Sequence, residues 1–221
     1  MTKRKIFAMA LLACLITHQA KAQETENIDN KSKGITITGG LVAVINFSNH
    51  SHSGISDGKS SMKTGFGIGG FLNLGISEHF SVQGELIINH KASRFQWQEN
   101  DGEYRYWGMT IPIYAMYHLP LSNKGIITIG IGPYTDFGFR ARFKNNGESV
   151  DLYSKTDDSG LPLMKDSDTG FGIKAGYELP CGLQINAEFR HSVSNVIDSN
   201  SSEVKMRPQV ITLGLAYRFG K

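Results

Sequence analysis

From Thr169 to His191 the chain alternates apolar and polar positions with a period of two. Phe171, Ile173, Ala175, Tyr177 and Leu179 share one face, and Gly170, Gly172, Lys174, Gly176 and Glu178 share the other, which is the periodicity of a strand and not of a helix. After Pro180-Cys181-Gly182 the pattern resumes, with Leu183, Ile185, Ala187 and Phe189 set against Gln184, Asn186, Glu188 and Arg190. Two such runs joined by a tight turn predict an antiparallel hairpin. In a soluble sheet the apolar face covers a core and the other face meets water. Here the polar face is rich in glycine and buried-type charge, and the layout recurs along the chain, so the pattern predicts a closed barrel that is apolar outside and polar inside.

The same alternation places further strands at 34–47, 64–76, from Phe80 to Asn89, from about 103 to Leu119, at 126–142, and from Gln209 to Phe219. Segments 48–62, 143–167 and 193–206 are rich in Ser, Asn, Asp, Gly and His and read as loops; Ser77-Glu78-His79, Leu121 to Lys124, and Pro180-Cys181-Gly182 read as tight turns. Short and long connections alternate. The expected fold is therefore all-β: an eight-stranded antiparallel up-and-down transmembrane β-barrel with both termini on the short-turn side and an interior filled by side chains. Pro112 and Pro133 fall inside strands, where each removes a ladder donor, and bulges are expected there.

Two aromatic belts follow from this assignment. Phe47, Phe66, Trp107, Phe137, Phe139, Phe171 and Phe189 lie at the loop-side ends of the outward faces, and Phe80, Tyr117, Tyr177, Tyr217 and Phe219 at the turn-side ends. Such belts bracket membrane spans, because an amphipathic ring favours the interface.

The first 22 residues change the charge picture. Lys3, Arg4 and Lys5 precede an apolar run from Ile6 to Ile16, and Ala20-Lys21-Ala22 is a small-x-small site, so a signal peptide cleaved before Gln23 is expected, with a polar lead-in at 23–33 and the barrel at 34–221. Cys14 after Leu-Leu-Ala offers a lipoprotein box as the competing reading. The formal charge of +3 includes four cations of that segment and no acid, so the remainder carries 19 cations against 20 acids, or −1. No basic footprint for nucleic acid is left. Cys181 alone would remain, which excludes an internal disulfide.

Thr110-Ile-Pro-Ile-Tyr-Ala-Met-Tyr117, Gly130-Ile-Gly-Pro-Tyr134, and Asp168 to Glu178 followed by Gly182 to Arg190 resemble strands of the PorT-like outer-membrane β-barrel family of Bacteroidetes. The resemblance covers most of the chain after residue 33 and implies a barrel in the cell outer membrane, with no reaction attached. It departs from the family pattern at Thr110 and Met116, where an acidic and a basic residue are usual.

The expected interior charges are Glu85, Asp136, Arg140, Lys174, Glu178, Glu188, Arg190 and Arg218. Lys174 and Glu188 fall opposite each other across the hairpin and are expected to pair, since a buried charge without a partner costs several kcal/mol. His50 and His52 offer two imidazoles two residues apart, with no third ligand, and read as loop histidines rather than a metal site. His191 and Ser192, with Asp136 or Asp198, are the best nucleophile and base on offer, but adjacent strand residues face opposite ways. No nucleotide fingerprint or phosphate loop is present. The expected function is a non-enzymatic, monomeric integral outer-membrane protein without cofactor or metal, in contact with outer-membrane lipid and acting through its outer loops on envelope or secretion-system proteins. The alternatives are an outer-leaflet barrel enzyme of the lipid deacylase or protease type, and a PorT-like accessory of protein secretion.

Overall fold

A computed structural model describes residues 35–53, 59–97, 100–145, 148–153, 165–194 and 205–219. Among the described residues of the unit Gly34–Lys221 the regular elements are all strands: β1 (Thr36–Ser53), β2 (Lys59–Gly75), β3 (Phe80–Trp97), β4 (Asn100–Pro120), β5 (Ile126–Asn145), β6 (Glu148–Asp151), β7 (Ser167–Glu178), β8 (Leu183–Ser192) and β9 (Lys205–Arg218). Every pairing is antiparallel, in the order β4-β3-β2-β1-β9-β8-β7-β5, and β4 pairs with β5 to close an eight-stranded barrel. The expected fold class holds. β6 is a short ninth strand on the far end of β5, inside the segment read as the longest loop. The expected signal peptide and lead-in, His50 and His52 as side chains, and Asp198 lie outside the described residues.

The barrel is inverted relative to a soluble one. Outward Ile68, Ile131 and Ile173 are 66%, 61% and 55% exposed, while inward Asn46, Asn89 and Thr110 are wholly buried. In water that arrangement would be unstable; in hydrocarbon it buries each polar group and satisfies the backbone within the closed ladder. Tight turns join the strands at one end. Gly182 takes a φ of 87° in the Pro180-Cys181-Gly182 turn, a conformation that disfavours a Cβ. At Gly132 the β4 and β5 backbones approach so closely that a Cβ would sit 1.9 Å from the Ile113 carbonyl oxygen.

Three expectations about strand geometry need correction. The segment 48–62 is not all loop, because β1 runs to Ser53 and β2 starts at Lys59, with β1 paired to β9 as far as Ser53 opposite Lys205. β3 and β4 likewise continue to Trp97 opposite Asn100. Strands β1 to β5 have 18, 17, 18, 21 and 20 residues, against roughly 9–11 needed to cross a membrane. β7 and β8, with 12 and 10, match that need. The wall is therefore tall from β1 to β5 and low at β7–β8.

The prolines do not bulge. On both sides of Pro112 and Pro133 the β4–β5 register is the same, and pairing lapses only locally: Pro112 faces a gap in the β3–β4 ladder, and Pro133 a gap in the β4–β5 ladder while still opposing Phe171 of β7. Each ring lacks a donor toward one neighbour only, so one missed bond suffices. The true irregularities lie elsewhere, in β2 between Met62 and Phe66 and in β5, where Phe139 is an extra residue opposite Trp107 and Gly108. A bulge of one residue reverses which face every later side chain takes. Arg140, expected inside, is for this reason exposed on the outer face, and Ala141 takes the buried position.

Candidate functional site

Inward positions from all eight barrel strands meet in a lumen where an apolar cluster, Val42, Val44, Phe71, Ile87 and Ala216, lies among polar and charged side chains. Of the expected interior charges, Glu85, Asp136, Lys174, Glu178, Glu188 and Arg190 are buried, and Arg218 is half-buried. Lys91 joins them. Among the described residues, the interior thus holds four cations, Lys91, Lys174, Arg190 and Arg218, and five carboxylates, Glu85, Asp136, Asp168, Glu178 and Glu188.

The partners differ from the expected ones. Lys174 and Glu188 are indeed opposite in register, but the Lys174 ammonium donates to Glu85 of β3, across the lumen. Glu188 instead accepts from the Tyr114 hydroxyl and lies 3.3 Å from Arg190 Nε. At the turn end Arg218 Nη2 is 2.9 Å from Glu178 Oε2, which also accepts from Gln184 at 2.9 Å. Gln83 donates to Glu85 at 2.7 Å and Asn73 to Gln83 at 3.3 Å, while Ser81 lies 2.6 Å from His118 Nε2.

Toward the loop end the network becomes a continuous chain around the barrel. Thr212 donates to Asn46 at 3.0 Å, Asn46 to Asn89 at 3.0 Å and Asn89 to Thr110 at 2.7 Å; Thr110 donates to Asp136, which Lys91 Nζ meets at 2.6 Å. Residues from β1, β3, β4, β5 and β9 are joined in one path. Opposite charges held this closely inside a low-dielectric wall neutralise each other.

Above this path lies a cavity of about 40 Å³, lined by Ser48, Lys91, Tyr104, Tyr106, Asp136, Tyr153 and Asp168 among others. Roughly 10–15 Å³ holds one water, so it has room for a few waters. The hydroxyls of Ser48 and Tyr106 have no partner among the described residues, which fits hydration. At the low β7–β8 rim Asp168 accepts from Ser194 Oγ at 2.5 Å, from Ser192 Oγ, and from Tyr134 at 3.3 Å. Ser192 is buried, whereas His191 occupies the opposite face in register with Phe171. The structure does not bring His191 and Ser192 together, and it places Asp136 on Lys91.

Outside, the residues of both aromatic groups are exposed or half-buried on the outer face. Phe66 and Trp107 meet edge-on at 5.8 Å, His90 and Trp107 at 4.9 Å, Phe80 and Tyr117 at 5.0 Å, and Tyr217 and Phe219 at 5.7 Å. Just beyond the loop-side ring Lys63 and Arg105 each lie 2.9 Å from Glu103. These two cations, Arg105 first, hold the Glu103 carboxyl down at about 2.

Sequence reading places Asn89 and Tyr134 on inward faces without a role, and misses Lys91, Asp168, Asn46, Thr110, Thr212 and the tyrosines 104, 106, 114 and 153. Tyr104, Tyr106 and Tyr114 share the parity of Thr110, and Lys91 that of Glu85 and Asn89, so the signal was present for strands drawn long enough. Among the described residues no cluster of His, Cys, Asp and Glu could hold a metal.

A family model described as outer membrane protein beta-barrel domain matches residues 7–219. Among solved structures, Neisserial surface protein A is 13% identical over 84% of this chain and 99% of that one, with a TM-score of 0.48. The outer membrane protein OprG from Pseudomonas aeruginosa is 14% identical over 84% and 95%, with a TM-score of 0.47. Ail, the attachment invasion locus protein of Yersinia pestis, is 16% identical over 82% and 98%, with a TM-score of 0.42. A search of curated proteins returns no match.

Proposed function

The chain belongs to the outer membrane protein beta-barrel domain family, and we propose that it serves there as a non-enzymatic, non-conducting barrel that engages other envelope components through its loop end. Its place is the outer membrane. The observation that carries the reading is the combination of a lumen lined by paired charges with strands β1–β5 that run well beyond the length a membrane needs. A wall that tall adds nothing to the span. What it adds is surface outside the membrane.

Separation of Ser192 from His191 on opposite faces supports a role without covalent catalysis, since a serine nucleophile needs a base within hydrogen-bond reach. Within the family, the segments around Pro112, Tyr134 and Lys174 support a place among PorT-like barrels, with an envelope or secretion-system protein as the partner; the basic, apolar and Ala20-Lys21-Ala22 run of residues 1–22 supports export with cleavage before Gln23, and the protein is proposed to cross as a monomer.

The test is cross-linking in intact cells, with residues 154–164 replaced by a short Gly-Ser linker. The barrel is expected to keep its heat-dependent gel shift and to lose its cross-linked partner. Unchanged cross-linking, steady conductance of the purified protein in planar bilayers, or altered lipid A acylation in a His191→Ala strain would each overturn the proposal.

A further inference from the structure

The outer face of β3–β5 carries a concentration of positive charge that the chain as a whole does not. On β4, Glu103, Arg105 and Trp107 point outward; their register partners are Arg94 and His90 on β3 and Lys144, Arg142 and Arg140 on β5. Arg94, Arg105, Arg140, Arg142 and Lys144 are all exposed. Lys63 adds a sixth cation at the margin. Among the described residues the acids on this patch are Glu103, between Lys63 and Arg105, and Asp151, opposite Arg142. By contrast the outward residues of β7 and β8 beyond their own belt aromatics, Ser167, Thr169, His191 and Val193, include no Lys, Arg, Asp or Glu.

Position gives the charge its meaning. Phe66, His90 and Trp107 form a ring cluster immediately below, at the depth where aromatic side chains meet lipid head groups. Arg105 and Arg142 oppose each other two residues further out, about 7 Å at ~3.4 Å per residue. Below the rings the same face is apolar, with Ile88 and Ile113 exposed. Guanidinium groups match phosphate oxygens in a planar, two-point fashion that lysine alone does not offer.

We infer that this face is a docking surface for a lipid of the outer leaflet whose head group carries phosphate, with its acyl chains along Ile88 and Ile113 and its phosphate on Arg105, Arg140 and Arg142. A soluble polyanion would use only the upper half of the surface. An amphiphile uses both halves, and the continuity between the basic patch and the apolar band selects it.

The test uses the full-length protein folded in zwitterionic detergent and probed by native mass spectrometry with diphosphorylated lipid A, its phosphate-free counterpart, and soluble polyphosphate. Wild type is expected to retain the phosphorylated lipid selectively. A variant carrying Arg105→Gln, Arg140→Gln and Arg142→Gln should retain it roughly tenfold less, with its heat-dependent gel shift intact. If that variant does not fold, raising salt to about 1 M should strip the lipid from wild type, because exposed charge pairs are screened at that strength. Equal retention of the phosphate-free lipid, equal retention by a folded variant, or indifference to salt would overturn the proposal. Polyphosphate bound as tightly as the lipid would also overturn it, in favour of a soluble polyanion.

Discussion

Lys174 faces Glu188 across the β7–β8 hairpin, yet its ammonium crosses the lumen to Glu85 on β3. A cross-lumen ion pair ties two walls of the barrel together, whereas a pair across one hairpin ties only neighbours. A double-mutant cycle on Lys174 and Glu85 should therefore show a coupling of about 1–3 kcal/mol, and a cycle on Lys174 and Glu188 one near zero. Urea unfolding in detergent micelles measures both. The reverse order would place the pair where the register alone suggests.

Truncating one member of the Lys91–Asp136 pair leaves a buried charge. Asp136→Ala should cost on the order of 3–5 kcal/mol in the same unfolding assay, and the double variant with Lys91→Met should recover part of it.

Two tyrosines of β4 separate hydroxyls that bond from one that does not. Tyr114 donates to Glu188, and Tyr106 has no partner among the described residues for its oxygen. Tyr114→Phe should cost about 1.5–3 kcal/mol, as for other bonds to charged groups. Tyr106→Phe should be neutral, and a comparable loss there would point to an ordered water or ligand in the loop-end cavity.

Two glycines make a similar contrast. Gly132 has no room for a Cβ against Ile113, whereas nothing lies within 4 Å of a Cβ built at Gly84. Gly132→Val should abolish the heat-dependent gel shift of the folded barrel, and Gly84→Ala should leave it unchanged.

Glu103 titrates far below an ordinary glutamate because Arg105 and Lys63 bond its carboxylate. Its folded value, about 2, lies under the unfolded value near 4.3, so its contribution is fully present above the unfolded value and is lost as pH falls through the folded one. The stability gap between wild type and Glu103→Gln should be constant above roughly pH 5 and close toward pH 2. Because the group is largely exposed, the gap should also shrink with salt.

Much of this barrel is legible in its sequence, for a reason that also limits the reading. Alternation in β7 and β8 is clear because one face meets lipid and the other the lumen, so the two sets of residues must differ in polarity. Toward the loop end Asn49 to Ser53 and Lys59 to Met62 are polar at nearly every position, so the alternation is lost from the sequence although they remain strand. The partners of Lys174 were not legible, since Glu85 is 89 residues away and is brought opposite only by closure of the barrel. Phe139 carries no mark of being a bulge; it reads as one more outward aromatic.

That one residue sets how β5 carries its outer surface. Because Phe139 is the residue without a partner, deleting it would join Gly138 to Arg140 in unbroken alternation and leave Arg140, Arg142 and Lys144 on the outer face they already occupy. A regular ladder that kept Phe139 would instead carry those three cations into the lumen and turn Ala141 and Phe143 toward the lipid. The bulge is thus a spacer, which lets β5 hold one aromatic more than the ladder has room for without moving a single arginine off the basic face.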